Sequence, residues 1–155
     1  MLRFLLFLLI GISHGADKIN VIDGDSFFIG RREIRLSGID APEYHQNCFD
    51  FNNNAYACGK QSAQALQKML KNGKVKCNTI VKDRYNREVS VCYSGEINLN
   101  KQMVADGWTV AYTRYTKDYA KVEQQAKKHQ KGIWQGRFLK PEYYRILQRE
   151  TNNLQ

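Results

Sequence analysis

Residues 18–39, with the sequence KINVIDGDSFFIGRREIRLSGI, carry the pattern that decides the fold. Short apolar runs alternate there with two turn signals, Asp23-Gly24 and Gly30-Arg31. Such short runs separated by glycine-containing turns are typical of consecutive antiparallel strands. The stretch therefore predicts a meander of three strands.

Helices and a hairpin follow the meander. Residues 59–73 place apolar side chains at helical spacing, and residues 74–93 read as two strands joined by the turn KDRYNR. Three more helical segments are expected at residues 98–107, 117–131 and 139–150. Asn98 is suited to cap the first of these. This order predicts a single α+β domain with a mainly β core, in which five strands could close into a small barrel.

The first 16 residues, MLRFLLFLLIGISHGA, have the layout of a secretory signal peptide, with one basic residue, an apolar run and small residues near a cleavage point. The apolar run is too short to span a bilayer, so no stable membrane anchor is expected. We therefore predict a signal peptide at residues 1–16, the main domain at residues 17–140 and a helical extension at residues 141–155.

Composition limits the classes of partner. A hydrophobic content of 43% argues against a disordered chain. Lysine and arginine outnumber the acidic residues by 24 to 15, a formal charge of +9. Such an excess suits a polyanion, nucleic acid before membrane, without identifying it.

Four cysteines occur in the chain: Cys48, Cys58, Cys77 and Cys92. In an exported protein an even number favours disulfides, and the alternative of a zinc site has no C-x-x-C pair to support it. Cys48 with Cys58 would close a short loop, and Cys77 with Cys92 would link neighbouring strands. The other pairings stay open, because strict alternation puts Cys92 on the face opposite its valine neighbours, and a bulge or a strongly coiled barrel strand would be needed to bring it to Cys77.

Carboxylates gather at two positions that a meander can bring together. Asp23 and Asp25 flank the first turn, and Asp40 and Glu43 follow the third strand. Clustered negative charges repel each other unless a cation binds them, and oxygen ligands alone favour calcium or magnesium. An ordinary turn is the alternative for the Asp-Gly-Asp stretch.

Two arginines stand near these acids. Arg35 lies five residues before Asp40, and Arg87 closes the turn DRYNR. A guanidinium group matches the oxygens of a phosphate in a two-pronged fashion. The alternatives are an ion pair for Arg35 and a solvated turn residue for Arg87.

The combination of motifs resembles the staphylococcal nuclease (thermonuclease) family, in its secreted bacterial branch with four cysteines. The resemblance covers about residues 19–138 and rests on five stretches: VIDGDS (21–26), IRLSGIDAPE (34–43), DRYNR (83–87), LNKQMVADGWTVAY (99–112) and EQQAKKHQKGIW (123–134). It implies a five-stranded OB-fold barrel with three helices.

The resemblance also implies a calcium site. Asp25, Asp40 and the backbone carbonyl of Ala41 match the family's metal ligands, although the family often has threonine at the position of Ala41. Asp23 is expected to orient a ligand without binding the metal itself.

Catalytic and binding roles follow from the same match. Glu43 corresponds to the general base, and Arg35 and Arg87 correspond to the arginines that stabilise charge on the phosphate. The residues expected to contact substrate are Arg84, Tyr85 and Tyr112. Asn86 departs from the family's glycine in the hairpin turn.

The resemblance thus implies a secreted, calcium-dependent endonuclease that hydrolyses DNA and RNA with little sequence specificity and leaves 3′-phosphate ends. The protein is expected to be a monomer in the periplasm or outside the cell. Two alternatives predict no hydrolysis: an inactive OB-fold module that binds nucleic acid, and a basic protein that binds anionic polymers.

Overall fold

The computed structural model describes residues 18–72 and 74–154, and the predicted signal peptide at residues 1–16 lies outside the described residues. The strands are β1 (Ile19–Val21), β2 (Ser26–Ile29), β3 (Arg32–Leu36), β4 (Ile39–Asp40), β5 (Cys48–Asp50), β6 (Ala55–Tyr56), β7 (Val75–Lys82), β8 (Glu88–Ser94), β9 (Ile97–Asn98), β10 (Val110–Ala111) and β11 (Gly136–Arg137). The helices are α1 (Cys58–Lys71), α2 (Leu99–Ala105), α3 (Ala120–Lys128) and α4 (Pro141–Asn152), with a 3₁₀ turn at Gly132–Gln135.

The predicted meander and hairpin form one sheet with the strand order β1-β2-β3-β8-β7, and β9 pairs with β8. All neighbours are antiparallel except β3 and β8, which run parallel and place Arg35 beside Val89. The α+β fold is confirmed and is OB-like. Over the described ranges, however, β7 does not pair with β1, so hydrogen bonds do not close the barrel.

Two small sheets complete the fold. Strand β4 pairs with β10, which sets Asp40 opposite Val110. The polar segment between residues 44 and 57 contributes β5 and β6, and β5 pairs with β11 from the far end of the chain. This segment is therefore built into a three-stranded sheet.

Over the residues that the structure describes there are four α-helices, where the family resemblance implied three, and the fourth is the helix predicted for the extension. Asn98 caps α2 as predicted, because its side chain accepts a hydrogen bond from Lys101 N at 2.9 Å. Helix α3 is shorter than the predicted 117–131. It ends before Gly132, because Gln130 has a positive φ of 51° and turns the chain there. Among the helices of residues 18–72 and 74–154, none combines the length and the hydrophobicity that a membrane span requires.

The larger of two hydrophobic clusters lies between the sheet and the helices α1, α2 and α3. Its fully buried members include Phe27, Ile34, Leu36, Leu66 and Met103. A hydrophobic contribution of roughly 1.5–3 kcal/mol for each such side chain makes this cluster the main source of stability.

Asn100 is a buried polar residue that joins three segments of this core. Its Oδ1 accepts from Cys92 N at 3.0 Å, and its Nδ2 donates to Ser37 O at 2.9 Å and to Ser90 O at 3.1 Å. Because Ser37 lies in the turn between β3 and β4, Asn100 also fixes the segment that leads to Asp40.

Two disulfides occur, Cys48–Cys58 and Cys77–Cys92, with Cα–Cα distances of 5.5 and 4.1 Å. The bulge that the second pairing required lies in β7 between Thr79 and Val81. It brings Cys77 directly opposite Cys92.

Strand β8 buries the face that sequence alternation did not favour. Ser90, Cys92 and Ser94 are at most 3% exposed, while the alternate residues Val89, Val91 and Tyr93 are only half-buried. Small side chains fit on this face because helix α2 and Asn100 approach β8 closely there.

Candidate functional site

Asp25 is held at the start of β2 by the turn that precedes it. Its backbone N–H donates to Asp23 Oδ1 at 2.9 Å. Gly24 is required between them, because a Cβ at that position would lie 1.8 Å from Ser62 Oγ. The Asp25 residue is only 1% exposed, so the turn directs its carboxylate into the protein.

Arg35 joins Asp25 to Asp40. Pairing of β2 with β3 sets Arg35 opposite Ser26, the residue after Asp25. Its Nη1 donates to Asp25 Oδ1 at 2.6 Å and its Nη2 donates to Asp40 Oδ1 at 2.9 Å. The second oxygen of Asp25 accepts from Ala41 N at 2.7 Å. The structure thus brings four of the predicted site residues into direct contact.

Glu43 lies at the rim of this group, with a side chain 37% exposed. Its backbone N–H donates to Gln46 Oε1 at 3.2 Å, and its Oε1 accepts from Arg145 Nη1 at 2.9 Å. The same Arg145 nitrogen lies 3.0 Å from Asp40 Oδ1, so one guanidinium connects the carboxylates of Asp40 and Glu43.

Burial and neighbouring charges determine the electrostatics of the site. Burial raises the pKa of Asp40, and the hydrogen bonds from Arg145 only partly oppose this. Burial, and next the negative charge of Asp25, raise the pKa of Asp23 to about 8. Burial tends to lower the pKa of Arg35, but the carboxylates around it outweigh this effect and raise its pKa. Both bridging guanidinium groups stay charged, because the pKa of Arg145 is raised as well.

The hairpin between β7 and β8 carries the second predicted group. Arg87 Nε donates to Asp83 Oδ2 at 2.8 Å, and the Arg87 guanidinium lies 5.5 Å from the centre of the Tyr85 ring. Arg84 Nη2 donates to the hydroxyl of Tyr85, and the Tyr85 residue is 62% exposed. The structure therefore groups these residues around Tyr85 and not in contact with Asp25 or Asp40. Asn86, with a φ of 65°, adopts the left-handed conformation that the glycine-free turn needs.

Tyr112 lies beside the turn that leads to Asp40. Its N–H donates to Gly38 O at 2.9 Å, and its ring lies 5.0 Å from the ring of Tyr115. Between these two tyrosines in sequence, Arg114 pairs with Glu142 of α4 at 3.0 Å. Helix α4 therefore contacts both the carboxylate group and the tyrosine segment.

The donors around Asp25 and Asp40 fit a hard divalent cation. Both carboxylates are buried and close to one Arg35 side chain, and only oxygen atoms are available as ligands. Within the ranges that the structure describes, no three or more histidine, cysteine, aspartate or glutamate side chains are arranged to hold a metal. Because calcium takes 6–8 oxygen ligands, water or substrate would have to supply the remaining ones, as in an open catalytic site.

Arg145 is the site residue that sequence reasoning missed. The sequence predicted a helix over residues 139–150, but a lone arginine within YYRILQRE has no local signal that marks its partner. Only the docking of α4 shows that it reaches two carboxylates more than 100 positions earlier in the chain.

Comparison with known proteins assigns the chain to a family. Residues 33–136 match the family described as staphylococcal nuclease homologue. The match spans more than half of the chain, and the chain belongs to this family.

Several curated proteins are similar over most of this chain. The succinoglycan biosynthesis protein ExoI of Rhizobium meliloti is 35% identical over 120 residues, which cover 76% of this chain and 63% of that protein. The probable staphylococcal-like nuclease CAN1 of rice, Oryza sativa, is 34% identical over 113 residues, or 72% of this chain and 31% of that protein. An uncharacterized endonuclease of Haemophilus influenzae is 31% identical over 123 residues, or 75% of this chain and 64% of that protein. The chain thus spans about one third to two thirds of the length of these relatives.

Proposed function

We propose that the protein is a calcium-dependent phosphodiesterase that hydrolyses DNA and RNA. The observation that carries the proposal is the contact of one guanidinium, Arg35, with two buried carboxylates, Asp25 and Asp40. Such a group combines ligands for a divalent ion with a donor for a phosphate oxygen. Membership of the family and the similarity to proteins named as nucleases support the same reaction class.

In this proposal Asp25, Asp40 and the carbonyl of Ala41 would hold calcium, and Asp23 would orient Asp25 through the hydrogen bond to its N–H. A bound divalent ion polarises a phosphate oxygen and lowers the pKa of a coordinated water. The burial of both carboxylates suits this role, because charges attract more strongly where water is excluded.

Glu43 takes the proton from the attacking water. A water molecule would reach this carboxylate from the solvent, to which the side chain is 37% exposed. General-base assistance requires hydrogen-bond reach to the water, at about 2.6–3.2 Å.

Arg35 and Arg87 stabilise the negative charge that develops on the phosphate. Asp83 engages Nε of Arg87, which leaves the terminal nitrogens for a substrate. A preorganised donor of this kind contributes about 10²–10³ in rate. Arg84, Tyr85 and Tyr112 bind the neighbouring nucleotides, and the exposed ring of Tyr85 offers a stacking surface.

We also propose that cleavage leaves 3′-phosphate ends, as the family resemblance implies, and that a substrate bound through its phosphates would be cut with little sequence preference. We further propose that residues 1–16 are removed on export to the periplasm or beyond, that residues 17–140 form the catalytic domain, and that the protein acts as a monomer. Both disulfides are consistent with an oxidising compartment.

A cleavage assay on single- and double-stranded DNA tests the function. The purified protein should cleave with Ca²⁺ and stop in excess EDTA, and Glu43→Gln should bind DNA yet lose most of its turnover. Full cleavage in EDTA would refute the calcium site. Binding by the unsubstituted protein without cleavage would identify a nucleic-acid-binding module instead.

A further inference from the structure

Helix α4 is held to the rest of the protein chiefly by polar contacts. Only Pro141 at its start is buried, while Tyr143, Ile146 and Leu147 are 52%, 41% and 50% exposed. A helix that buries so little apolar surface gains little hydrophobic stabilisation from docking. Its position therefore depends on its ion pairs, and the most buried partners in those pairs belong to the candidate active site.

The Arg145 guanidinium occupies both oxygens of Asp40. Nη1 donates to Oδ1 and Nη2 donates to Oδ2, each at 3.0 Å. Nη1 also lies 2.9 Å from Glu43 Oε1, so this nitrogen sits between the proposed metal ligand and the proposed general base. The position between those two carboxylates is where a metal-bound water would have to stand to be deprotonated by Glu43.

A cation and this guanidinium cannot both use the same lone pairs of Asp40. Oδ1 already accepts from both Arg35 and Arg145, and Oδ2 accepts from Arg145. A calcium–oxygen distance of about 2.3–2.6 Å leaves no space for an arginine nitrogen in contact with the same face of the carboxylate. Three of the roughly four lone-pair sites of this carboxylate are therefore taken, and a calcium ion that coordinates Asp40 on the side facing Glu43 requires Arg145 to move.

We propose that Arg145 competes with calcium for Asp40, so that helix α4 sets the metal affinity of the site and is loosened when the metal binds. This rests on the proposed calcium site. The second ion pair of the helix joins Glu142 to Arg114, whose side chain is 70% exposed, and such an exposed ion pair contributes too little to hold α4 by itself.

Calcium titration of the purified full chain by isothermal calorimetry tests the competition. Arg145→Gln should bind Ca²⁺ about tenfold more tightly than the unsubstituted protein, a difference of about 1.4 kcal/mol. Arg145→Lys keeps the charge but cannot span both oxygens of Asp40. Its affinity for Ca²⁺ should therefore lie between those of the unsubstituted protein and Arg145→Gln. Arg149→Gln, an exposed arginine of the same helix, is the matched control and should leave the affinity unchanged.

Amide hydrogen exchange of residues 141–152 supplies a second measurement that needs no substitution. Saturating Ca²⁺ should speed exchange in α4 of the unsubstituted protein, and Arg145→Gln should exchange fast with or without Ca²⁺. Equal calcium affinity of Arg145→Gln and the unsubstituted protein, or α4 exchange that Ca²⁺ leaves unchanged, would overturn the proposal.

The two proposals fail in different ways. If the unsubstituted protein binds Ca²⁺ and cleaves DNA only with it, while Arg145→Gln binds Ca²⁺ no more tightly, only the competition is wrong. If no variant binds Ca²⁺ and cleavage persists in EDTA, the calcium site is wrong and the competition falls with it.

Discussion

Replacing Asn100 by alanine should strongly destabilise the protein, because the amide serves three hydrogen bonds inside the core. Asn100 is completely buried. Its loss leaves Cys92 N–H and Ser37 C=O without the partners they have in the native structure. Ser90 C=O is less affected, since it also accepts from Ser37 N at 2.8 Å.

The expected cost follows from these two groups. A buried polar group left without a partner costs about 1–3 kcal/mol, so Asn100→Ala should lower the free energy of unfolding by about 2–6 kcal/mol. For comparison, Asn98→Ala removes one exposed capping bond and should cost about 1 kcal/mol.

Urea unfolding with the disulfides intact measures both variants. The urea midpoint should fall much further for Asn100→Ala than for Asn98→Ala, while the slope of the free energy of unfolding against urea concentration stays the same. If both variants lose the same stability, Asn100 does not join the segments of the core in the way described, and its hydrogen bonds are replaced at little cost.

Three further predictions concern separate parts of the molecule. The hydrogen bond from Arg32, partly opposed by burial, lowers the pKa of Glu88 to about 2. This carboxylate therefore stabilises the fold above its unfolded pKa of about 4.5 and loses that effect as the pH falls towards 2. The difference in free energy of unfolding between the unsubstituted protein and Glu88→Gln should be constant at neutral pH and shrink below pH 4.5, and a difference that does not change with pH in this range would contradict the ion pair. Replacing Cys77 and Cys92 together by serine should cost about 3 kcal/mol in urea unfolding, because the loop of 15 residues is no longer closed in the unfolded chain; a stability equal to that of the unsubstituted protein would mean that the bond does not form in solution. Tyr85→Ala should weaken binding of single-stranded DNA by about 1–3 kcal/mol, because a base can no longer stack on the ring. Fluorescence anisotropy measures the affinity, and the urea midpoint of unfolding should stay unchanged. An unaltered affinity would mean that Tyr85 does not contact the substrate.

Local chemistry was readable from the sequence. The turn at Asp23-Gly24, the strands around it and the cap at Asn98 depend on residues close together in the chain, and the structure contains all of them. The expected contact of Asp40 with the first turn also occurs, although Arg35 mediates it, because a three-stranded meander leaves few other arrangements.

Features that depend on distant partners could not be read in this way. The bulge between Thr79 and Val81 shifts the register of β7 against β8 by one residue. Nothing in the alternation of β8 indicates that Ser90 and Cys92 are buried and the valines are not. Helix α2 and Asn100 decide that face from another part of the chain. The pairing of β11 with β5 is equally distant and builds the polar segment between residues 44 and 57 into a sheet.

The arrangement of charge explains why the missed residue lies in the site itself. Asp25 and Asp40 are each 1% exposed, and burying two carboxylates is unfavourable unless cations compensate them. Arg35 contacts only Oδ1 of each carboxylate, so Oδ2 of Asp40 needs a donor from another segment of the chain. Arg145 supplies it from the extension. A divalent ion would supply the same positive charge. Arg145 lies outside the matched family region, yet it contacts Asp40, to which we assign metal binding, and Glu43, to which we assign catalysis.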